Sequence, residues 1–189
     1  HYIIFAVELK PTLFPTVPRL LTRVCSKLQQ ATISAPGIKG ALSRRAVAVK
    51  LERLENGLGN THPLWDRILF NKVKQALGGR VRKIVTGSAP IASEVLQFMR
   101  IAFCCDIAEG YGQTEGVASA TISFEGENKA GHVGGPMTCC EIKLVDVPEM
   151  NYFATDKPFP RGELCYRGTN AFLGYYKDEA KTKETIDEE

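Results

Sequence analysis

Hydrophobic and polar positions follow one another along the chain in short blocks, and these blocks predict an α/β protein. The first block, Ile3–Leu9, is short, apolar and contains β-branched residues, which predicts a buried strand. Further along, apolar side chains recur at helical spacing. This spacing predicts three helices, over residues 19–30, 41–54 and 64–77. Stretches rich in proline and glycine separate them, and the prolines before the first helix predict a turn.

The middle of the chain predicts a strand, a helix and a second strand in succession. Residues 81–86 form a β-rich run, residues 91–103 repeat apolar side chains at helical spacing, and residues 104–108 form another β-rich run. Between the first strand and the helix lies a turn that ends in Pro90, which we expect at the first position of the helix. This order predicts a βαβ unit with two parallel neighbouring strands.

The connections that follow these two strands form the candidate functional region. The turn 87–90 and the loop 109–115 each leave the carboxyl end of a predicted parallel strand. Ligands bind at that edge in open α/β sheets. The first turn also meets the amino end of a helix, where free backbone N–H groups favour an anion or the edge of a nucleotide. We therefore expect a ligand site at this edge.

The rest of the chain predicts mainly β structure. Strands are expected over residues 119–124, 141–147 and 163–167, with a glycine-dense loop at 130–136 before the second of them. A short helix of mixed charge is expected over residues 178–186. The sequence contains no internal repeat and no clear linker between domains, so it predicts an α/β unit followed by a β-rich segment.

Composition is compatible with a folded core. Hydrophobic residues make up 44% of the 189 positions and charged residues 24%, with a net charge of +3. This balance excludes a disordered chain, a collagen and a coiled coil as descriptions of the whole. The longest apolar run, residues 2–7, is far shorter than the roughly 20 residues of a membrane-spanning helix.

Positive charge is concentrated in residues 39–83. Eleven lysines and arginines lie there against three acidic residues, a local balance of +8. Such a segment can bind nucleic acid or a membrane surface, or it can be the solvated face of helices. The basic residues are spread over two predicted helices without interleaved aromatic residues. The solvated face is therefore the favoured interpretation, and no nucleic-acid partner is expected.

Six cysteines, at positions 25, 104, 105, 139, 140 and 165, include two adjacent pairs and no CxxC motif. Their spacing does not favour a metal site. Cysteines in an apolar setting usually pack as small buried side chains. This pattern favours a reducing, intracellular compartment.

The loop GYGQTE at residues 110–115 could carry chemistry. Its glycines let a ligand approach the backbone closely, Tyr111 offers a flat ring to a base, and the Thr114 hydroxyl can bond a phosphate oxygen. The Glu115 carboxylate can hold magnesium. An ordinary strand-end turn has the same residue types, and the loop alone leaves both interpretations open.

Several motifs in order resemble the adenylate-forming enzyme superfamily, and in particular the long-chain acyl-CoA synthetases. The resemblance covers nearly the whole chain. It is carried by PTLFPTVPRLL at 11–21, LGGRVRKIVTGSAP at 77–90, EGYGQTE at 109–115, GHVGGP at 131–136, IKLVDVPEMNYF at 142–153 and FLGYYKDEAKT at 172–182. Several separate motifs in one order identify a family far better than one loop does.

The resemblance implies an activity. A fatty acid carboxylate attacks the α-phosphate of ATP and releases pyrophosphate, and the thiol of coenzyme A then displaces AMP from the acyl-adenylate. Charge that develops on phosphate oxygens calls for positioned donors and a divalent cation. The resemblance therefore implies ATP and coenzyme A as substrates, Mg²⁺ as the metal ion, and a long-chain fatty acid as the partner.

The resemblance also implies residue roles. Thr114 and Glu115 are the catalytic candidates, with Thr114 on the phosphate and Glu115 on Mg²⁺, and Tyr111 packs on the adenine. The nucleotide-binding candidates are Gly87, Ser88, Ala89, Gly110, Tyr111, Gly112, Gln113 and Thr114.

A second set of candidates lies in the glycine-dense loop. His132 and Gly134 are expected near the acyl channel, although His132 is equally well read as a half-exposed loop histidine. Two departures from the family pattern leave the acyl preference open. EGEN at 125–128 stands where close relatives have a tryptophan, and Gly116 replaces a cysteine that often follows the YGQTE motif.

The resemblance places the chain within a larger enzyme. The chain starts at His1 rather than Met, and we expect residues 1–189 to be the central part of the large N-terminal, AMP-binding domain. The phosphate-binding loop and the C-terminal lid domain are not in this sequence. We expect the protein to attach to a membrane through other segments. The expected location is the cytosolic face of the endoplasmic reticulum or of the mitochondrial outer membrane. A truncated, non-catalytic module that binds acyl groups or nucleotides is the alternative.

Overall fold

The chain forms two compact units. The computed structural model describes residues 2–187, with side chains from residue 5 onward. Of these residues, 2–110 and 123–134 form the first unit, and 111–122 and 135–187 form the second. The mixture of helices and parallel strands confirms the predicted α/β class.

The first unit contains three parallel strands: β1 (Leu13–Thr16), β2 (Lys83–Thr86) and β3 (Asp106–Tyr111), whose last residue opens the second unit. Strand β2 lies in the middle. It pairs with β1 from Leu13↔Lys83 to Thr16↔Thr86, and with β3 from Lys83↔Asp106 to Thr86↔Glu109. Helix α6 (Ser93–Phe103) connects β2 to β3. The predicted βαβ unit with parallel neighbours is therefore confirmed.

Helices pack around this sheet. They are α2 (Pro18–Ala31), α3 (Gly37–Glu55), a helical segment made of α4 (Pro63–Trp65), a π turn (Asp66–Phe70), α5 (Asn71–Lys74) and a 3₁₀ turn (Gln75–Leu77), and α6. The three helices predicted before β2 are confirmed. Helix α6 contacts α2, α3 and α5, and it buries Leu96, Met99 and Phe103 at helical spacing. Each such side chain contributes about 1.5–3 kcal/mol by leaving water.

The second unit is mostly antiparallel. Its strands are β4 (Thr121–Ile122) paired with β5 (Gly135–Pro136), and β6 (Cys140–Val145) paired with β7 (Glu163–Gly168). Short 3₁₀ turns lie at Thr114–Gly116 and Pro148–Met150. Helix α7 (Glu179–Thr185) begins after Asp178, whose carboxylate accepts a hydrogen bond from the Lys181 N–H group. The predicted β-rich segment and the short final helix are confirmed.

The prediction of a strand at Ile3–Leu9 is wrong, because Tyr2–Leu9 forms helix α1. The Lys10 N–H group donates to the Ala6 carbonyl at 2.9 Å, as in a helical turn. Ala6 is buried whereas Phe5 and Leu9 are exposed. An apolar run this short has no period that separates a strand from a helix. A second correction concerns the predicted turn before α2, which contains strand β1.

Two boundaries next to the candidate region also differ from the prediction. Helix α6 begins at Ser93 with Ala92 at the N-cap, so Pro90 lies before the helix and not at its first position. Strand β3 runs from Asp106 to Tyr111. Glu109, Gly110 and Tyr111 therefore belong to a strand, where they were expected in a loop.

Basic side chains of the segment 39–83, which the structure describes throughout, are exposed or half-buried except at one position. Lys39, Arg44, Arg45 and Lys72 are exposed, as the solvated-face interpretation predicts. Lys50 is the exception because its side chain is fully buried. Its ammonium group pairs with the carboxylate of Asp66, donates to the Ile101 carbonyl at 2.7 Å and lies 4.2 Å from the centre of the Phe70 ring.

Candidate functional site

The ends of β2 and β3 approach each other at two glycines. A Cβ atom added to Gly87 would lie 2.8 Å from the carbonyl oxygen of Gly110, closer than real Cβ atoms come to a backbone atom. Gly87 therefore needs a bare backbone. After Gly87 the chain turns through Ser88, which has a left-handed φ of 72°. Ser88 and Ala89 are exposed, so this turn can meet a ligand.

Glu109 is a buried carboxylate at the same edge, and sequence reasoning gave it no role. Its side chain is 6% exposed, and its N–H group donates to the Ser123 hydroxyl at 2.9 Å. Burial raises the pKa of the Glu109 carboxyl. A backbone hydrogen bond from Ile91 and the nearby His132 and Arg100 partly oppose that rise. The glutamate is part of the EGYGQTE motif, which is the signal that could have identified it.

Arg100 anchors the loop that precedes the acyl-channel candidates. This buried side chain donates to the Lys129 carbonyl at 2.7 Å and to the Ile107 carbonyl at 3.0 Å. The neighbouring Gln97 amide donates to the Asn128 carbonyl at 2.6 Å. Helix α6 thus fixes the backbone just before Gly131.

His132 and Gly134 form a local turn. The Gly134 N–H group donates to Nδ1 of His132 at 3.1 Å, and the imidazole is exposed. The contact satisfies the ring nitrogen from within the loop. This geometry agrees with the interpretation of His132 as a loop histidine and assigns no chemistry to it.

In the second unit, the segment 111–116 begins at the last residue of β3 and has tight backbone packing. The Tyr111 N–H group donates to the Thr121 hydroxyl at 3.3 Å, and its carbonyl accepts from the Ala120 N–H group at 2.9 Å. A Cβ atom on Gly112 would lie 1.8 Å from the Ala118 carbonyl oxygen, which excludes a side chain there. Gln113 and Thr114 are exposed, and Tyr111 is 36% exposed.

Gly116, one of the departures from the family pattern, lies against the side chain of a tyrosine. A Cβ atom at this position would lie 2.3 Å from the hydroxyl oxygen of Tyr166. The Tyr166 side chain therefore fills the space that a larger residue would need. The Asn170 amide donates to the Gly116 carbonyl at 3.4 Å and to the Ser119 carbonyl at 3.3 Å, which fixes the same turn.

Glu115 is held through both its backbone and its side chain. The Phe172 N–H group donates to the Glu115 carbonyl at 2.7 Å, and the Tyr175 hydroxyl donates to Oε1 of the carboxylate. The Tyr175 hydrogen bond holds the pKa of the Glu115 carboxyl below its ordinary value. The same bond raises the pKa of the Tyr175 hydroxyl. Glu115 is therefore ionised at neutral pH. Tyr175 had no role in the sequence analysis.

A partly exposed, ionised carboxylate is a suitable ligand for Mg²⁺, which binds one or two carboxylates together with phosphate oxygens and water. Among residues 2–187, no three His, Cys, Asp or Glu side chains form a group that could hold a metal ion.

The cysteines lie apart from this chemistry. All six are free thiols in the described part of the chain. Burial raises the pKa of Cys25 to about 11 and that of Cys105 to about 12. Such thiols are protonated at neutral pH and pack as small apolar groups.

None of the helices within residues 2–187 has the length and apolar character needed to cross a bilayer.

Comparison with known sequences identifies close relatives. Residues 4–176 match the family model described as AMP-binding enzyme. Over 181 residues, the chain is 48% identical to "Long chain acyl-CoA synthetase 6, peroxisomal" of Arabidopsis thaliana, with 96% of this chain and 26% of the relative covered. It is 46% identical over 183 residues to "Long-chain-fatty-acid-CoA ligase 1" of Homo sapiens, with 96% and 25% covered. The chain thus spans about a quarter of the length of these relatives.

Comparison with solved structures finds adenylation domains. The adenylation domain of a carboxylate reductase from Mycobacterium chelonae matches with a TM-score of 0.67 at 30% identity, covering 99% of this chain and 25% of that one. The A domain of a carboxylic acid reductase from Segniliparus rugosus, solved with AMP and a co-purified carboxylic acid, matches with a TM-score of 0.65 at 29% identity and the same coverage.

Proposed function

The chain belongs to the AMP-binding enzyme family, and from this premise we propose that it is the central part of the adenylation domain of a long-chain fatty acid-CoA ligase. The intact protein activates a long-chain fatty acid with ATP, releases pyrophosphate and transfers the acyl group from the acyl-adenylate to coenzyme A. Because the chain spans only about a quarter of its relatives, the activity belongs to the whole protein and not to residues 1–189 alone.

One observation carries the proposal. The TGSAP motif begins at the last residue of β2, and the EGYGQTE motif begins within β3. These two strands are parallel neighbours, paired from Lys83↔Asp106 to Thr86↔Glu109. Ligands of open α/β sheets bind at the carboxyl ends of such strands. The identity of 44–48% to several long-chain acyl-CoA synthetases supports the same substrate class.

The proposed nucleotide contacts use exposed groups. Tyr111 packs on the adenine. The glycines carry no side chain, so the adenylate can come close to their backbone. Thr114 bonds the phosphate through its exposed hydroxyl. The full set of proposed contacts is Gly87, Ser88, Ala89, Gly110, Tyr111, Gly112, Gln113 and Thr114.

Thr114 and Glu115 are the proposed catalytic residues. Attack on the α-phosphate gathers negative charge on its oxygens, and a positioned hydroxyl donor stabilises that charge. Glu115 supplies an ionised carboxylate whose orientation is set by Tyr175. This carboxylate would hold Mg²⁺, whose charge would offset that of the phosphates. We propose that His132 and Gly134 lie near the acyl channel, without a proton-transfer role.

The proposed partners are a long-chain fatty acid, ATP and coenzyme A. We propose membrane attachment through other segments of the protein, at the cytosolic face of the endoplasmic reticulum or the mitochondrial outer membrane. Relatives named as peroxisomal make the peroxisome the competing location. Fluorescence microscopy of the tagged full-length protein with a marker for each membrane distinguishes these locations.

Trapping of the intermediate tests the function. The full-length protein is incubated with ATP, hydroxylamine and carboxylic acids of two to twenty carbons, and acyl hydroxamates are measured. Hydroxamate formation with the longer chains supports the proposal. Formation only with short or aromatic acids contradicts the substrate class, and binding of acids or nucleotide without any hydroxamate supports the non-catalytic alternative.

A further inference from the structure

The segment 172–182 holds Glu115 in place at two points. The Phe172 N–H group donates to the Glu115 carbonyl at 2.7 Å, which fixes the backbone. The Tyr175 hydroxyl donates to Oε1, which fixes the side chain. Residues 113 and 114, just before Glu115, are exposed. The Tyr175 contact adds to a hydrogen bond from the backbone of Glu115 itself and to the nearby charge of Lys181.

Tyr175 is itself fixed from several sides. Its N–H group donates to the Thr182 hydroxyl at 2.9 Å, and that hydroxyl donates to the Asp178 carbonyl at 2.8 Å. Its ring meets the Phe172 ring edge to face, with the ring centres 4.9 Å apart. The Lys181 ammonium lies 4.7 Å from the centre of the Tyr175 ring. The phenol oxygen is thus a rigid donor.

We infer that Tyr175 is a positioning residue that orients the Glu115 carboxylate for the divalent cation bound with ATP. The inference rests on the proposed function, since it gives Glu115 a metal. Groups that hydrogen-bond a metal ligand set its direction, and their loss typically lowers metal affinity 10- to 100-fold. A fixed carboxylate also avoids the entropy cost of ordering a mobile side chain when the metal nucleotide arrives.

A purely structural role is the competing interpretation. In that case Tyr175 would only dock the segment 172–182, and its hydroxyl would contribute to folding stability but not to metal binding. The two interpretations differ in what Tyr175→Phe changes. Phenylalanine keeps the edge-to-face contact with Phe172 and the ring beneath Lys181. It removes the hydroxyl that donates to Glu115 and that also bonds the Thr185 side chain.

The chain offers a matched control. Tyr176 is the next residue, and it is 89% exposed. Tyr176→Phe removes a phenol hydroxyl from the same segment without touching Glu115. Glu115→Gln, which removes the ligand charge, provides the reference for loss of the charged metal contact.

The experiment uses the full-length protein and its three variants. Binding of Mn²⁺ in the presence of a non-hydrolysable ATP analogue is measured by electron paramagnetic resonance, which needs no turnover. The Mg²⁺ concentration for half-maximal adenylate formation and the melting temperature are measured in parallel. We expect Tyr175→Phe to weaken Mn²⁺ binding about 10-fold and to raise the Mg²⁺ requirement by the same factor. Tyr176→Phe is expected to match the parent protein.

A double variant tests whether Tyr175 affects metal binding through Glu115. In the Glu115→Gln background, Tyr175→Phe should cause no further loss of Mn²⁺ affinity, because the two residues act through one contact. Equal Mn²⁺ affinity for Tyr175→Phe and Tyr176→Phe overturns the inference, as does a lower melting temperature without a change in metal affinity. Unchanged affinity in Glu115→Gln overturns the metal role of Glu115 instead, and so identifies a failure of the proposed function.

Discussion

Gly87 lies so close to Gly110 that a Cβ atom on Gly87 would be 2.8 Å from the Gly110 carbonyl oxygen. The contact joins the ends of two parallel strands at the edge where open α/β sheets bind ligands. Because the neighbour is backbone, it cannot swing aside as a side chain would. The spacing of these two strands therefore depends on a glycine in the TGSAP motif.

Gly87→Ala is expected to destabilise the protein by about 1–3 kcal/mol, the usual cost of forcing an added methyl group against packed atoms. Adenylate formation should fall as well, since the turn that follows Gly87 must shift. Urea denaturation and pyrophosphate exchange measure the two effects. Ala92→Ser, an exposed change in the same connection, serves as the control and should leave both unchanged or raise stability slightly through helix capping. Equal stability of Gly87→Ala and the parent would contradict the packing argument.

Lys50→Met is expected to destabilise the protein by about 3–5 kcal/mol, because it leaves Asp66 partly buried without its counter-ion. Replacing both members, as Lys50→Met with Asp66→Leu, should recover much of that loss. Chemical denaturation of the single and double variants measures the recovery. Lys39→Met, at an exposed position of the same helix, should change stability by less than about 0.5 kcal/mol. A loss in the double variant as large as in Lys50→Met would argue against the ion pair.

The buried carboxyl of Glu109 predicts a pH dependence. Its pKa is raised in the folded state, so the folded protein holds the proton more tightly than the unfolded chain does. At pH values well below 4.5, the ordinary pKa of a glutamate carboxyl, the group is protonated in both states and its burial carries no ionisation penalty. As pH rises through the window between 4.5 and the raised folded pKa, ionisation increasingly favours the unfolded chain.

Glu109→Gln should therefore gain stability relative to the parent as pH rises through that window. Denaturation of both proteins at pH 4 and at pH 7 tests this prediction. Glu94→Gln, an exposed change on helix α6, provides the control. A difference between parent and Glu109→Gln that stays the same at both pH values would exclude the raised pKa.

Local patterns were enough to predict the βαβ unit. The repeats of apolar residues over 91–103 and the β-rich runs on either side are each visible within a dozen residues, and the connection rule for parallel strands supplies the topology. From the motifs at 86–90 and 109–115, the sequence then predicted candidate chemistry after the carboxyl ends of these strands.

Other features had no local signal. Lys50 is charged, yet it lies on the buried stripe of α3 together with Gly40, Ser43, Val47 and Leu54, so a pattern based on hydrophobicity placed it in solvent. The contact of Tyr175 with Glu115 joins residues 60 positions apart, and no periodicity predicts such a pair. The prediction for the α1 segment was wrong because a short apolar run is compatible with both a strand and a helix.

Glu115 carries the central claim that this chain supplies the metal-binding carboxylate of a fatty acid adenylation site. Fatty acid-dependent exchange of pyrophosphate into ATP, measured in the full-length protein, tests it most directly. Glu115→Ala is expected to lower the exchange rate about 100-fold, the scale of losing one preorganised charge stabiliser, while Glu149→Ala, an exposed change in the same unit, leaves it unchanged. Exchange by Glu115→Ala at the rate of the parent protein would contradict the claim.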